Sequence, residues 1–187
     1  MKVIKTNIPD LLIIESPVFE DDRGYFFESY NLKTFISGKI DFNFIQDNQS
    51  KSQFGVIRGL HYQLEPFAQT KLIRVLEGEI LDVAVDIRKN SPTFGKWQGV
   101  QLSATNKKQL LIPKGFAHGF SVLSTSAVVF YKCDYYYKPE AERGIIFNDP
   151  ALNIDWKIEL NKIVLSEKDK NLPDFQNAEK NFVFGKS

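Results

Sequence analysis

The feature that most constrains the fold is a series of short apolar or alternating runs, each of strand length and separated by Gly, Pro, Asn or Asp. The runs are rich in Val, Ile, Phe and Tyr, which favour β-strands. Long helical periods are missing, and only 32–37 and 166–171 suit a helix of a turn or two. Many short strands without interleaved helices predict an all-β fold, an antiparallel sandwich or barrel. The predicted strands cover residues 11–14, 24–30, 56–63, 71–76, 79–88, 97–102, 109–112, 119–123 and 127–137.

Nothing in the composition divides the chain into parts. Its 187 residues fit one domain of ordinary size. No linker, repeat or shift in composition interrupts the sequence, so we predict a single domain over 1–187. The last stretch, 171–187, is polar apart from a few aromatic residues, and we expect it to pack loosely as a C-terminal tail.

The counts of charged residues, cysteine and histidine exclude several kinds of site. With 24 Lys+Arg against 23 Asp+Glu, the charge argues against a nucleic-acid binder but leaves room for a patch that holds one phosphorylated ligand. One cysteine excludes an internal disulfide and a Cys–Cys zinc site within the chain. Two histidines exclude a metal held by three imidazoles.

The N-terminal region carries no targeting signal that we recognise. Its apolar stretch is four residues long, 11–14, and lies between Asp10 and Glu15. A signal peptide needs a longer apolar region, and a membrane span needs about 20 apolar residues. Together with the single cysteine, this predicts a cytoplasmic protein that does not associate with membranes.

Glu77 and Gly78 are placed to form the turn of a hairpin between 71–76 and 79–88. In that register one face carries Lys71, Ile73 and Val75 together with Ile80, Asp82 and Ala84. Lys71 and Asp82 are then diagonal neighbours. On a solvated face they would form an ion pair of little energetic value. Inside a barrel, the lysine would be held as an electrophile, and the hairpin alone leaves both interpretations open.

Both histidines stand in unusual local sequences. His61 lies in GVIRGLHYQ at 55–63, and His118 lies in PKGFAHGF at 113–120. Arg58 and His61 are three residues apart, so a regular strand would point them to opposite faces. A bulge at Gly59 would aim both into one pocket. His118 follows a turn and sits between small residues, which suits a side chain at a cavity mouth, although a structural histidine remains the common alternative.

The spacing around His61 argues against a metal site. Catalytic zinc and iron sites generally use three protein ligands, and metal-binding cupin barrels commonly supply a His-x-His pair. Here Gly59 and Gln63 occupy the positions two residues before and after His61. We therefore predict no metal. The sequence also contains no Gly-x-Gly-x-x-Gly and no P-loop motif for a nucleotide cofactor.

Tyrosines and scattered polar groups supply further candidates. Strand alternation in 127–137 places Val129, Tyr131 and Cys133 on one face, so Tyr131 points into the core with a hydroxyl that needs a polar partner. A plain core aromatic is the alternative. The tyrosines at 135–137 are suited to stacking on a flat ring or to covering a sheet edge. Polar groups that suit phosphate and sugar hydroxyls are Arg23, Glu28, Gln46 and Asn48.

Taken in order, these motifs resemble those of the dTDP-4-dehydrorhamnose 3,5-epimerase family. The resemblance runs from about Lys5 to Asp169, nearly the whole chain. Its most specific elements are RGLH and GFAHGF in series. The matching segments are RGYFFESY at 23–30, QDN at 46–48, VIRGLHYQ at 56–63, DVAVDIR at 82–88, SPTFG at 91–95, IPKGFAHGF at 112–120 and LSEKD at 165–169.

The resemblance implies a fold, a reaction and a set of site residues. The fold is a metal-independent, cupin-type antiparallel jelly roll that forms a homodimer by exchanging N-terminal strands, with no cofactor. The substrate is a dTDP-4-keto-6-deoxy sugar, inverted at C3 and C5. His61 is implied as the base, oriented by Asp169, with Tyr131 as the acid and Lys71 in the sugar site. The implied substrate contacts are Arg23, Glu28, Gln46, Asn48, Arg58, Asp82, His118, Glu142 and Lys168, with Tyr136 or Tyr137 stacking on thymine.

Three alternatives remain open on the sequence. A related nucleotide-sugar enzyme would invert one centre only or move the keto group, and the number of labelled carbons separates it from a double epimerase. A non-catalytic sugar-binding jelly roll would bind without proton exchange. A metal-dependent cupin oxygenase would carry a stoichiometric metal.

Overall fold

The computed structural model describes residues 1–185, which form thirteen β-strands and two short α-helices. The helices are α1 (Leu32–Ser37) and α2 (Glu167–Lys170). The strands are β1 (Lys2–Lys5), β2 (Leu12–Glu15), β3 (Phe19–Asp21), β4 (Gly24–Phe26), β5 (Gln46–Gln53), β6 (Ile57–Gln63), β7 (Lys71–Glu77), β8 (Glu79–Asp86), β9 (Trp97–Ser103), β10 (Gln109–Ile112), β11 (Phe116–Val122), β12 (Ser126–Cys133) and β13 (Glu142–Gly144).

Two antiparallel sheets form a jelly-roll sandwich. One has six strands in the order β1-β2-β10-β7-β12-β5, and the other has five in the order β13-β6-β11-β8-β9. A separate two-stranded hairpin pairs β3 with β4. The predicted all-β, cupin-type fold is therefore confirmed. No helix within residues 1–185 is long and apolar enough to cross a membrane.

The main core lies between the two sheets. Because side chains alternate along a strand, each sheet turns one apolar face inward. Ile73 and Val129 from the six-stranded sheet meet Ile80 and Leu102 from the five-stranded sheet, and all four are fully buried. Burying each such side chain stabilises the fold by about 1.5–3 kcal/mol. This inner face also carries the polar residues of the site described below.

The outer faces of the sheets are covered by different segments. On the six-stranded sheet, Phe35 of α1 packs with Leu72 and Leu111. The Asn31 side chain caps α1 by accepting a hydrogen bond from the Thr34 amide. On the five-stranded sheet, the cover comes from the segment that follows β13.

This segment shows that part of the C-terminal stretch is packed. Ala178 and Phe182 are 5% and 6% exposed, in one cluster with Tyr62. The Tyr62 hydroxyl donates a hydrogen bond of 2.5 Å to the Glu179 carbonyl. The C-terminal tail over 171–187 is predicted to pack loosely, and within 171–185 Ala178 and Phe182 are buried on the sheet while most of the other residues are exposed. Residues 186 and 187 lie outside the described part.

The predicted hairpin at Glu77 and Gly78 is also wrong. Strand β7 pairs with β10 and β12, whereas β8 pairs with β11 and β9, so the chain passes from one sheet to the other at Gly78. Almost every residue of β8 is buried. A strand buried on both faces needs neighbours on both edges, which a two-stranded hairpin does not supply.

The predicted bulge at Gly59 is present. His61 pairs with His118 and Arg58 pairs with Phe120. The two paired positions are therefore three residues apart on β6 but only two residues apart on β11. Gly59 has a φ of +116°, and a Cβ built on it would lie 2.5 Å from the Gly119 Cα. Only glycine fits this close approach of two backbones.

We expect Gly59→Ala to lower the free energy of unfolding by about 4 kcal/mol or more, because backbone overlap adds to the cost of the positive φ. Gly24→Ala is the matched control. Gly24 has a similar φ of +123°, and a Cβ built on it would have no other atom within 4 Å, so the substitution should cost only about 1–3 kcal/mol. Urea unfolding of both variants measures the difference. Equal losses would contradict the close approach at Gly59.

Candidate active site

A cavity of about 460 Å³ opens between the two sheets. Its walls come from β5, β7 and β12 on one side, from β6 and β11 on the other, and from the segment that leads into α2. The lining residues are Ser50, Val56, Ile57, Arg58, His61, Lys71, His118, Phe120, Tyr131, Val164, Leu165, Ser166, Lys168 and Asp169.

His61 and Asp169 form a hydrogen-bonded pair at the cavity wall. The His61 Nε2 lies 2.7 Å from the Asp169 Oδ1. Burial alone would raise the pKa of Asp169, but the interactions with His61, the hydrogen bond with Ser166 and the charge of Lys168 together outweigh it and hold that pKa below its ordinary value. The carboxylate accepts a hydrogen bond from the Nε2–H group, so Nδ1 of His61 is left as the basic atom. Ser166 fixes Asp169 by capping α2, its Oγ accepting from the Asp169 amide at 3.1 Å.

His118 and Asp82 form a second pair beside the first. His118 lies directly opposite His61 in the ladder of β6 and β11. Its Nε2 is 2.6 Å from the Asp82 Oδ1. Burial lowers the pKa of His118, and Asp82 partly offsets this. Asp82 is 0% exposed and is not among the residues that line the cavity, so in this structure it contacts His118, and its role as a direct substrate contact stays a prediction.

Lys71 and Tyr131 face these histidines from the opposite wall. The Lys71 Nζ is 6.0 Å from the centre of the Tyr131 ring. Burial lowers the pKa of Lys71, while Cys133 and Asp82 act in the opposite direction. Burial raises the pKa of Tyr131. Because Asp82 is fully buried and lies on the facing sheet, the interpretation of Lys71 and Asp82 as a solvated surface pair is wrong.

A group of polar residues is connected at one rim of the cavity. Glu142 Oε2 accepts from the Tyr137 hydroxyl at 2.6 Å and pairs with the Lys168 Nζ at 2.5 Å. Burial alone would raise the pKa of Glu142, but Lys168 and Tyr137 hold it below its usual value. Gln46 accepts from the Tyr137 amide at 3.0 Å and donates to Asn48 at 3.1 Å. The structure thus brings these five predicted contacts together.

Tyr136 is 59% exposed and precedes Tyr137 of this rim group. Two other predicted contacts lie elsewhere on this chain. Arg23 belongs to the turn between β3 and β4, where it pairs with Asp21 in solvent. Glu28 follows this hairpin and bonds to Asn31. Neither Arg23 nor Glu28 lines the cavity, so their contact with a substrate depends on the predicted exchange of N-terminal strands between two chains.

Sequence reasoning missed three serines. Ser50 and Ser166 line the cavity, and Ser52 accepts a hydrogen bond from Arg58. The signal was present in QDNQSKSQ at 46–53, since a period of two puts Asn48, Ser50 and Ser52 on one face. Among residues 1–185, no group of three His, Cys, Asp or Glu side chains is placed to hold a metal ion.

The chain is similar to known proteins in both sequence and structure. The sequence model of the dTDP-4-dehydrorhamnose 3,5-epimerase family matches residues 5–177. The enzyme of that name from Shigella flexneri is 56% identical over 182 residues, covering 96% of this chain and 98% of that protein. The crystal structure of the one from Elizabethkingia anophelis has a TM-score of 0.90 at 55% identity, covering 94% of this chain and 97% of that chain. The 3,5-epimerase of Legionella pneumophila, solved in complex with dTDP-4-keto-L-rhamnose, has a TM-score of 0.90 at 50% identity, covering 94% and 93%.

Proposed function

This chain belongs to the dTDP-4-dehydrorhamnose 3,5-epimerase family and is an isomerase, and from that premise we propose how its own residues act. It converts dTDP-4-dehydro-6-deoxy-D-glucose to dTDP-4-dehydro-L-rhamnose by moving protons, with His61 as base and Tyr131 as acid. The observation that carries the proposal is that the His61–Asp169 pair and Tyr131 line opposite walls of one cavity.

The base step takes a proton from carbon. In a 4-keto sugar the hydrogens on C3 and C5 are both adjacent to the carbonyl, so removing either gives an enolate. His61 Nδ1 accepts this proton, and Asp169 holds the imidazole in the required tautomer. One base that serves both positions accounts for two inversions in one site.

The enolate is stabilised and then protonated from the other side. Lys71 donates a hydrogen bond to the C4 oxygen as negative charge develops there, and its lowered pKa makes it a stronger donor. Tyr131 delivers a proton to the face opposite His61. Its raised pKa favours the neutral phenol, so the hydroxyl carries the proton that inversion requires.

The nucleotide and the second subunit complete the proposal. The diphosphate binds Arg58 and Lys168, two cationic side chains that line the cavity, while Tyr136 or Tyr137 stacks on thymine. Two chains form a homodimer in which the hairpin β3–β4 reaches the partner's site and brings Arg23 and Glu28 there. The exposure of Phe19 and Phe26 on this hairpin, 66% and 68%, supports the exchange. A cytoplasmic location stays a prediction from the sequence.

Incubation of the enzyme and its dTDP-4-keto substrate in heavy water tests the reaction. We expect deuterium at both C3 and C5, because each inversion replaces a carbon-bound proton with one from solvent. Mass spectrometry and proton NMR of the sugar count the labelled carbons. One labelled carbon would indicate a mono-epimerase, and binding without label would indicate a sugar-binding jelly roll. A stoichiometric metal in the purified protein would indicate the oxygenase alternative.

A further inference from the structure

Arg58 is held by a residue from the opposite sheet. Its Nε donates a hydrogen bond of 2.9 Å to the Oγ of Ser52. Arg58 lies on β6 of the five-stranded sheet, and Ser52 lies on β5 of the six-stranded sheet. The bond therefore spans the two sheets beside the segment where the chain crosses from one to the other.

Ser52 is a fixed acceptor. It is 6% exposed, and its backbone lies in the ladder opposite Ala127 of β12. A serine hydroxyl on such a backbone has few alternative positions. The Arg58 side chain is long and exposed, and it would sample many rotamers without this contact.

The hydrogen bond uses one edge of the guanidinium and leaves the other edge available. Among residues 1–185, no other side chain or backbone group forms an ion pair or a hydrogen bond with the Arg58 side chain. Its two Nη groups are thus unpaired, and Arg58 lines the cavity together with Lys168. A guanidinium fork with both Nη groups unpaired matches two oxygens of a phosphate.

We propose that Ser52 is a positioning residue that holds Arg58 with both Nη groups directed at the diphosphate of the substrate. This inference rests on the proposed function, since it takes the ligand to be a nucleoside diphosphate sugar. Ser52 does not itself touch the sugar or the reacting carbons. Because Ser52 already orders the Arg58 side chain in the free enzyme, binding of the substrate loses less conformational entropy.

Ser52→Ala is expected to raise the Kd for dTDP and the KM for the keto sugar about tenfold, the scale of one hydrogen bond to a charged group. The kcat should change less than about twofold, because the proton-transfer residues stay in place. Ser52→Thr keeps the hydroxyl and should bind dTDP within about twofold of the wild type. Calorimetry with dTDP and steady-state kinetics give the two readouts.

Ser126→Ala is the matched control, since it removes a serine hydroxyl from β12 that donates to Glu77 rather than to an arginine. It should leave the Kd for dTDP unchanged. In an Arg58→Ala background, Ser52→Ala should cause no further loss. Wild-type affinity in Ser52→Ala, or an equal loss in the Arg58→Ala background, would overturn the proposal.

A different observation would refute the proposed function without refuting the role of Ser52. Wild-type protein that binds dTDP but leaves the sugar unlabelled in heavy water would refute the epimerase reaction, and the dTDP affinities would still test the role of Ser52. Wild-type protein with no measurable affinity for dTDP would overturn both.

Discussion

Replacement of His61 by alanine is expected to lower kcat by about 10³- to 10⁴-fold, the scale of losing a positioned general base. Exchange of deuterium into C3 and into C5 should fall together, because one imidazole removes both protons. The Kd for dTDP should stay within about threefold of the wild type, since the nucleotide contacts lie elsewhere. Single-turnover assays in heavy water measure both exchange rates, and calorimetry measures the affinity.

A second variant separates chemistry from folding. Alanine leaves the Asp169 carboxylate, only 3% exposed, without the partner that lies 2.7 Å away, and an unpaired buried charge destabilises the fold. His61→Asn keeps a side chain that is able to donate a hydrogen bond toward Asp169 but is not a base at neutral pH. It should retain the fold and still lack exchange. Exchange at the wild-type rate in His61→Asn would remove His61 from the base role.

The sequence predicts most of the strands that contain apolar residues, but it misses β1. Strand β5 is missed because its residues, QDNQSKSQ, include no apolar side chain. It is an edge strand of the six-stranded sheet that pairs only with β12, and polar side chains are tolerated at an edge. The same polar strand supplies Asn48, Ser50 and Ser52 to the site, so the missed strand and the missed serines have one cause.

The hairpin at Gly78 shows which part of a strand prediction depends on local sequence. Ile73 and Val75 of β7 and Ile80 and Ala84 of β8 do share one core, as alternation predicts. They meet across the space between two sheets rather than along one ladder. Alternation fixes the inward face of each strand, whereas the choice of neighbour depends on contacts that are distant in sequence.

Some site residues are likewise placed by local sequence, and others by contacts that are distant in sequence. The bulge that aims Arg58 and His61 into one cavity is predictable, because Gly59 is a local backbone requirement. The position of Asp82 next to His118 is not predictable in this way, because it depends on the pairing of β8 with β11. The position of Arg23 relative to the cavity is also not predictable from local sequence, because Arg23 lies on a hairpin that joins neither sheet of this chain.

Replacement of Tyr131 by phenylalanine is expected to separate exchange from inversion. His61 still forms the enolate and returns a deuteron to the face from which it took the proton, so label should enter without epimerisation. Formation of the inverted product should fall about 10²- to 10⁴-fold, the scale of general acid catalysis. Chiral analysis of the recovered sugar, together with its deuterium content, measures both outcomes in one experiment.

The phenylalanine variant should fold normally, which makes this test sharp. The Tyr131 hydroxyl has no hydrogen-bond partner among residues 1–185, so its removal leaves no buried group unpaired. Tyr135→Phe is the matched control, because it removes a hydroxyl from the same segment outside the cavity and should epimerise at the wild-type rate. If Tyr131→Phe inverted both carbons normally, the acid would be another group. If it lost exchange as completely as inversion while dTDP still bound, Tyr131 would act in enolate formation instead, and the division of base and acid between the two walls would be refuted.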